Sequence, residues 1–330
     1  MAICEEPSRC ASIETQGVSR AIVRVAAAVV YRGNGDVLLA QRPAGKPYSG
    51  YWEFPGGKLE HDETPRAALA RELAEELNIR VRRATPWLVS EFVYPHAHVE
   101  LNFFRVFAWA GKLSGRDGQA FAWQTPGDFS VAPLLPANSR ILDALRLPPI
   151  YGITRASDVG EEEFLARSQR ALERGLKLIQ LREKAWPSSR RDAFAVRLLA
   201  QARDHGAQVL VNGTAADAMR LGCAGVHWTA ATLTSAHSRP AGMRVAASCH
   251  TQEDLLRASR LDLDFALLGP VLATPTHPDA IPLGWDRFAA MVAGTRLPVF
   301  ALGGLSAKDL ATAIDRGAHG IALRRAAWDD

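Results

Sequence analysis

The sequence predicts an α/β chain of two domains, the second of them a (β/α)8 parallel barrel. Its 330 residues are enough for two cores. The first half sets short β-rich runs around one acidic amphipathic helix. The second half alternates apolar strand cores with helices, eight strands in all. Pro148-Pro149 punctuates the junction. The expected organisation is a loose leader over 1–20, a first domain over 21–148 and a second over 149–330.

Residues 22–31 are a continuous run of β-branched and small apolar side chains, a strand pattern. A Gly33-Asn34-Gly35-Asp36 turn and a second strand over 37–40 follow, which together predict a hairpin. Residues 52–54 lead into Pro55-Gly56-Gly57, whose glycines permit tight backbone. Leu69, Leu73 and Leu77 then recur at helical spacing, with Ala70 and Ala74 extending the stripe. Further strands are expected over 87–94 and 99–108, and a closing helix over 133–146, beginning near Pro136-Ala137-Asn138.

In the second half, strand cores fall at 151–154, 178–181, 208–211, 225–227, 244–247, 265–268, 299–302 and 320–323. Helical stretches such as 161–174, 191–205 and 307–316 lie between them. Eight such strands favour a closed barrel; an open doubly wound sheet is the alternative. Only residues 324–330 follow the last strand, so the last helix is expected to be shortened.

Composition excludes several classes. A formal charge of +4 is too small and dispersed for a nucleic-acid groove, and no apolar run is long enough for a bilayer span. Cys4, Cys10, Cys223 and Cys249 show no metal spacing and no disulfide framework. The leader lacks an apolar signal segment, and the chain reads as cytoplasmic, with neither nucleic acid nor membrane as partner. Nothing in the sequence fixes an oligomeric state.

Glu72, Glu75 and Glu76 share one face of the acidic helix, opposite the leucines. Like charges at this spacing cost a few tenths of a kcal/mol per pair, roughly. A hard divalent cation reverses that sign, because it needs several oxygen ligands together. A solvated acidic face is the bland alternative for these three residues alone.

The surroundings decide between them. Gly57, five residues, Glu63, seven residues, then Arg71-Glu72-Leu73-Ala74-Glu75-Glu76 and Ile79 resembles the signature of Nudix hydrolases. Asn78 stands where that signature has glycine, at a helix end that favours left-handed dihedrals, which Asn tolerates after Gly. The resemblance implies an α/β/α sandwich on a mixed sheet, and water attack on phosphorus in a nucleoside diphosphate derivative. It implies magnesium, with manganese as the alternative, held by Glu72, Glu75, Glu76 and the Gly57 carbonyl. It makes Glu63 and Arg71 a brace for the loop, and it leaves the general base open among Glu72, Glu63 and Asp117.

Trp52-Glu53-Phe54-Pro55-Gly56-Gly57, the Gly115-Arg116-Asp117-Gly118-Gln119 loop and Pro136-Ala137-Asn138 resemble the MutT branch, which converts 8-oxo-dGTP to the monophosphate and pyrophosphate. That likeness places Asn138 on the oxidised base, Phe54 along the base pocket and Arg42 on a phosphate. The 94–98 loop departs from the branch at His96 and Ala97.

The second half is similar to thiamine phosphate synthases and the related thiazole tautomerases. The match rests on Gln180-Leu181-Arg182-Glu183-Lys184, Ser248-Cys249-His250, the 274–279 loop and Gly303-Gly304. It implies a site for a thiamine-related phosphate ligand made by Gln180, Arg182, Lys184, Ser248, His250, Thr274, Thr276, Gly303 and Gly304. Two acidic magnesium ligands of the synthases are missing: Asn212-Gly213 and the stretch Trp228-Thr229-Ala230-Ala231-Thr232 stand in their places. Neither Gly nor Thr replaces a carboxylate against pyrophosphate. The alternative to nucleotide hydrolysis is a bifunctional thiamine-pathway protein whose first half hydrolyses thiamine diphosphate or a precursor.

Overall fold

The computed structural model describes residues 21–115, 119–274 and 279–329. The leader, Asp117 and Thr276 lie outside these residues. The first half runs β1 (Ile22–Val30), β2 (Val37–Gln41), β3 (Trp52–Glu53), β4 (Gly56–Lys58), α1 (Pro65–Leu77), β5 (Arg80–Val93), β6 (His98–Ala110), β7 (Phe121–Gln124) and α2 (Ser139–Leu145). One sheet has the order β4-β1-β6-β5, with β1 parallel to β6 and antiparallel to β4; a second has the order β3-β2-β7.

Side-chain alternation along β1 explains its apolar run over 25–30, which follows the exposed Arg24. Ala26, Ala28 and Val30 pack with Leu69, Leu73 and Leu77 of α1, whereas Ala27 and Val29 pack with Ile141 and Leu142 of α2. A strand covered on both faces has no polar side to show. The result is an α/β/α sandwich on a mixed sheet.

Three expectations change here. β1 and β2 form no hairpin: they meet only at a Tyr31–Val37 bridge. Both edges of β1 are taken by β4 and β6, and both edges of β2 by β3 and β7. The strands expected over 87–94 and 99–108 are parts of a longer antiparallel ribbon, whose arginine-rich start at Arg80 hid it. The closing helix is shorter than expected, a 3-10 turn over Pro136–Asn138 followed by α2.

The second half runs β8 (Ile150–Ile153), α3 (Ala156–Val159), α4 (Glu161–Glu173), β9 (Leu178–Leu181), α5 (Ser188–Asp204), β10 (Gln208–Val211), α6 (Ala215–Leu221) and β11 (Gly225–Trp228). It continues with α7 (Ala230–Ser235), β12 (Arg244–Cys249), α8 (Gln252–Arg260), β13 (Phe265–Leu268), α9 (Gly284–Val292), β14 (Val299–Leu302), α10 (Leu310–Asp315) and β15 (Gly320–Leu323). Strands β8 to β15 are all parallel and close into a barrel, β15 pairing with β8. Ile179 and Leu181 of β9 face the outer helices, while Leu178 turns inward beside Tyr151, Phe265 and Phe300.

The shortening of the last helix is carried as far as two turns, with no helix after β15 among the described residues. Trp328 takes the helix's place. It is fully buried, its indole N–H donates to the Ile153 carbonyl at 2.8 Å, and its ring packs edge-on against Phe164 at 4.7 Å.

The two halves share a joint at the bottom of the barrel. Buried Arg105 of β6 donates to the backbone carbonyls of Ile314 at 3.4 Å, His319 at 3.2 Å and Ala318, the loose ends that follow α10. Its guanidinium lies 5.2 Å from the centre of the Trp87 ring, and Trp87 stacks on His319 at 5.7 Å. His319 bonds the Leu147 carbonyl at 2.9 Å, and Leu147 itself plugs the barrel interior. Arg83 pairs with Asp315 at 2.6 Å, and the Val89 N–H donates to the Thr295 carbonyl at 2.9 Å.

Candidate functional site

α1 is fixed at both ends. Thr64 caps its start by accepting from the Ala67 N–H at 3.2 Å, and Pro65 occupies the first turn, where its missing N–H costs nothing. Asn78 closes it in the left-handed conformation, φ 55 and ψ 32, as its position before Ile79 predicts. The buried face is Ala68, Leu69, Leu73 and Leu77; Ala70 is exposed and Ala74 only half-buried, so the stripe is narrower than expected.

Arg71 organises the loop below the helix. It grips Glu63 with two bonds, at 3.1 and 2.9 Å, donates to the Lys58 carbonyl at 3.0 Å and reaches Glu72 at 2.8 Å. Glu63 also accepts from the Glu60 N–H at 3.0 Å, and the Arg71 bonds hold its carboxyl below the usual range. Three of its four lone-pair sites are thus taken, and the pull of Arg71 makes Glu63 a weak base toward water.

The glycine pair beneath α1 is a matter of space. A Cβ on Gly56, at φ +148, would lie 2.1 Å from the Ala26 carbonyl oxygen; a Cβ on Gly57 would lie 2.1 Å from the Glu72 carboxyl carbon. Glu72 therefore rests directly on the Gly57 backbone. Glu76 takes a hydrogen bond from the Gly56 N–H, and burial, with Glu72 and Glu53 nearby, pushes its carboxyl up to about 7. Glu75 is more exposed, 3.5 Å from Arg71.

Among the described residues no three acidic, His or Cys side chains are gathered as a ready metal cage. The donors that flank Gly56-Gly57 nevertheless suit a hard divalent cation. Glu72 and Glu76 bring carboxylate oxygens from one face of α1 onto this loop, and crowding among carboxylates is relieved by a bound cation.

Glu53 is a member of this cluster that sequence reasoning missed. A lone Glu in a short strand carries no spacing signal. Burial pushes its carboxyl up, and Arg42 pairs with it at 2.5 Å. Arg42 also donates to the Pro47 carbonyl at 2.8 Å, so the guanidinium expected on a phosphate is engaged with protein.

Phe54 and Asn138 are both buried, and Phe54 shares an apolar cluster with Ala137, the residue before Asn138, and with Ile141 and Leu142 of α2. Phe54 packs edge-on against Phe103 at 5.8 Å. The Asn138 amide nitrogen has no hydrogen-bond partner, an exception among buried donors. Nearby, Tyr48, Tyr94 and His96 form an aromatic cluster, Tyr94 standing 5.3 Å from each of the others, with His96 stacked on it. The departure noted at His96 thus falls on this aromatic surface.

The barrel carries its own site. A cavity of about 1060 Å³ opens at the C-terminal ends of its strands and is lined by Gln180, Arg182, Lys184, Ser248, His250 and Thr274 together with Gly303 and Gly304. His227 lies buried below it, between Tyr151 at 3.3 Å and Ser248 at 2.9 Å. Its burial, with Arg182 and Lys184 close by, pulls the imidazole down to about 3, so it is neutral. His250 bonds the Gly269 carbonyl at 2.8 Å. Gly213 packs against Asp217, whose carboxylate is committed to the Thr214 cap at 2.8 Å and to Arg191 and Arg220.

An acidic helix resting on a glycine loop marks the first half as a hydrolase of phosphoric anhydrides, and the second half is a closed parallel barrel with a cavity at the C-terminal ends of its strands. The chain belongs to the NUDIX family through residues 21–145 and to the thiamine monophosphate synthase family through residues 150–327. Over 96 residues it is 42% identical to an 8-oxo-dGTP diphosphatase of Proteus vulgaris, covering 29% of this chain and 86% of that protein. It is 39% identical over 129 residues to a CTP pyrophosphohydrolase of Escherichia coli, covering 37% and 90%. The second half is 37% identical over 172 residues to a thiamine-phosphate synthase of Thermus thermophilus, covering 51% and 82%. No helix among the described residues is long and apolar enough to cross a membrane.

Proposed function

We propose that the first half is a divalent-metal-dependent nucleoside triphosphate pyrophosphohydrolase whose substrate is 8-oxo-dGTP, released as 8-oxo-dGMP and pyrophosphate, a reaction that cleanses the nucleotide pool. The observation that carries this reading is Asn138: a buried amide donor without a partner, next in the chain to Ala137, which clusters with Phe54. An unmet donor in a dry pocket costs about 1–3 kcal/mol, which a purine acceptor recovers on binding. That cost persists where function needs the group.

Glu72, Glu75, Glu76 and the Gly57 carbonyl would hold magnesium or manganese. The bound ion supplies charge neutralisation at the phosphate oxygens and a more acidic water. Arg71 and Glu63 hold the loop so that Glu72 stays on Gly57. Glu72 is the favoured base, since Glu63 is consumed by Arg71; Asp117 is the alternative. Water's oxygen bonds to phosphorus, the bridging P–O bond breaks, and the proton passes to the base.

The likeness to a CTP pyrophosphohydrolase and the stacked Tyr94–His96 pair favour a second reading, a pyrimidine triphosphate on that aromatic surface. The deciding experiment is pyrophosphate release by the purified chain from 8-oxo-dGTP, dGTP, CTP and thiamine diphosphate. The reading requires 8-oxo-dGTP to exceed dGTP by at least about tenfold in kcat/KM. Equal rates remove the sanitation role and leave the hydrolase class; preference for thiamine diphosphate moves the protein to the thiamine pathway.

A further inference from the structure

Four cations line the mouth of the barrel, Arg182 and Lys184 after β9 and Arg324 and Arg325 after β15, while Asp279 is the one carboxylate among its lining residues. Arg182 is half-buried, and neither its guanidinium, nor Lys184, nor Arg325 has a side-chain partner among the described residues. Arg324 reaches Asp158 at 2.9 Å but keeps a buried Nε without a partner. Guanidiniums set side by side repel, and burial leaves little water to screen them. In agreement, Arg182 is pulled below the usual arginine range by burial and by Arg324.

On the neighbouring strand end, after β14 and next to Arg324 and Arg325 of β15, stand Gly303 and Gly304, at φ +103 and +70. A Cβ on Gly303 would lie 2.7 Å from Pro270 Cα, and one on Gly304 2.5 Å from the Ala273 carbonyl oxygen. A close, side-chain-free turn of this kind is what backbone N–H groups need to approach an anion. Ile153, Leu267, Leu302 and Ala322 give the same cavity an apolar part, larger than a phosphate alone would fill. Gly213 and the stretch 228–232 bring no carboxylate in place of the two that are absent, Asp217 is already committed, and Asp279 alone lines the cavity, too few acidic oxygens for a magnesium site against a diphosphate.

We infer that the barrel mouth binds the phosphate or diphosphate group of a small organic ester without a metal ion, the guanidiniums of Arg182 and Arg324 supplying the charge that magnesium would otherwise bring. The barrel is on this account a metal-independent phosphoester-binding domain. The inference stands on the barrel alone and does not require the first half to act on any particular nucleotide.

Calorimetry on the full chain in excess EDTA tests it, with inorganic pyrophosphate and orthophosphate as probes. Saturable binding of either at one site per chain is expected, and the tighter of the two distinguishes a diphosphate from a monophosphate ligand. Arg182→Gln and Arg324→Gln should each weaken it about tenfold or more, and Lys184→Gln, exposed at the rim, several-fold. Arg260→Gln, at the exposed far end of α8, should leave it unchanged. Far-UV circular dichroism identifies any variant that fails to fold, and Lys184→Gln then carries the comparison. Absence of binding, binding that requires added magnesium, or binding indifferent to all three pocket variants overturns the inference. So does binding abolished by Glu76→Gln, which would put the anion on α1.

Discussion

At the scale of single residues, charge and orphaned polarity are the informative quantities. Burial pushes the Glu76 carboxyl up to about 7 among its neighbours, and Glu76→Gln should cut kcat by about two orders of magnitude or more while circular dichroism stays unchanged. Wild-type turnover in that variant would remove the acidic helix from the reaction. Asn138 makes a two-sided prediction. Asn138→Ala deletes a buried donor that has no partner, so the metal-free protein should gain up to about 1 kcal/mol in urea unfolding. The same change should cost about tenfold or more in preference for 8-oxo-dGTP over dGTP. Stability and selectivity moving together would contradict the role given to the amide. These residues differ in how they could be found. Glu72, Glu75 and Glu76 announce themselves by spacing, whereas Glu53, buried against Arg42, and Tyr48, on its aromatic cluster, act through tertiary neighbours that no local pattern encodes.

At the scale of elements, α1 and its glycine loop form one unit. Gly57→Ala should drive the Glu72 carboxylate off the loop, because the new methyl would sit 2.1 Å from it, and activity should fall at least about tenfold with little change in helix content. Asn78→Gly should stabilise the chain by a few tenths of a kcal/mol, and Asn78→Ala should cost about 1, measured by thermal or urea unfolding, since only the latter strains a left-handed cap. The barrel strands were legible because each is a four-to-six-residue apolar run whose partners are simply the next strands in order. The first sheet was less so. β1 pairs with residues 56–58 and 98–106, which lie far along the chain, and a hairpin is the nearest local pattern that such a sequence offers. Trp328 in the place of a last helix was equally hidden, since a tryptophan after a final strand does not reveal which carbonyl it will bond.

At the scale of the whole molecule, the joint and the buried histidines govern stability. Arg105 satisfies three carbonyls across the two halves, so Arg105→Ala should cost on the order of 3 kcal/mol and split one calorimetric transition into two. A variant that still unfolds in one transition at the wild-type temperature would show that the halves are joined by something else. His227 and His319 are held neutral by burial, each pulled from 6.5 down to about 3. The unfolded chain binds protons there that the folded chain refuses. Their contribution is therefore fully present above about pH 6.5 and is lost as pH falls toward 3, by about 1.4 kcal/mol per pH unit for each histidine. Urea titrations at pH 7, 6 and 5 measure that slope, and His319→Gln should reduce it; a flat profile would contradict neutral burial.

The joint also decides how the two halves can trade molecules. Thr295 and His319 belong to the loops that enter β14 and β15, Asp315 ends α10 just before, and Leu147 stoppers that end, whereas the cationic cavity opens where the strands leave. The length of the barrel and a packed core thus stand between the joint and the mouth. Anything made on the acidic helix that is destined for the barrel must first diffuse into bulk solution, open to dilution and to capture by a scavenging enzyme. Covalent union here fixes the stoichiometry and shared turnover of the two halves, and among the described residues the joint lies at the end of the barrel away from its cavity.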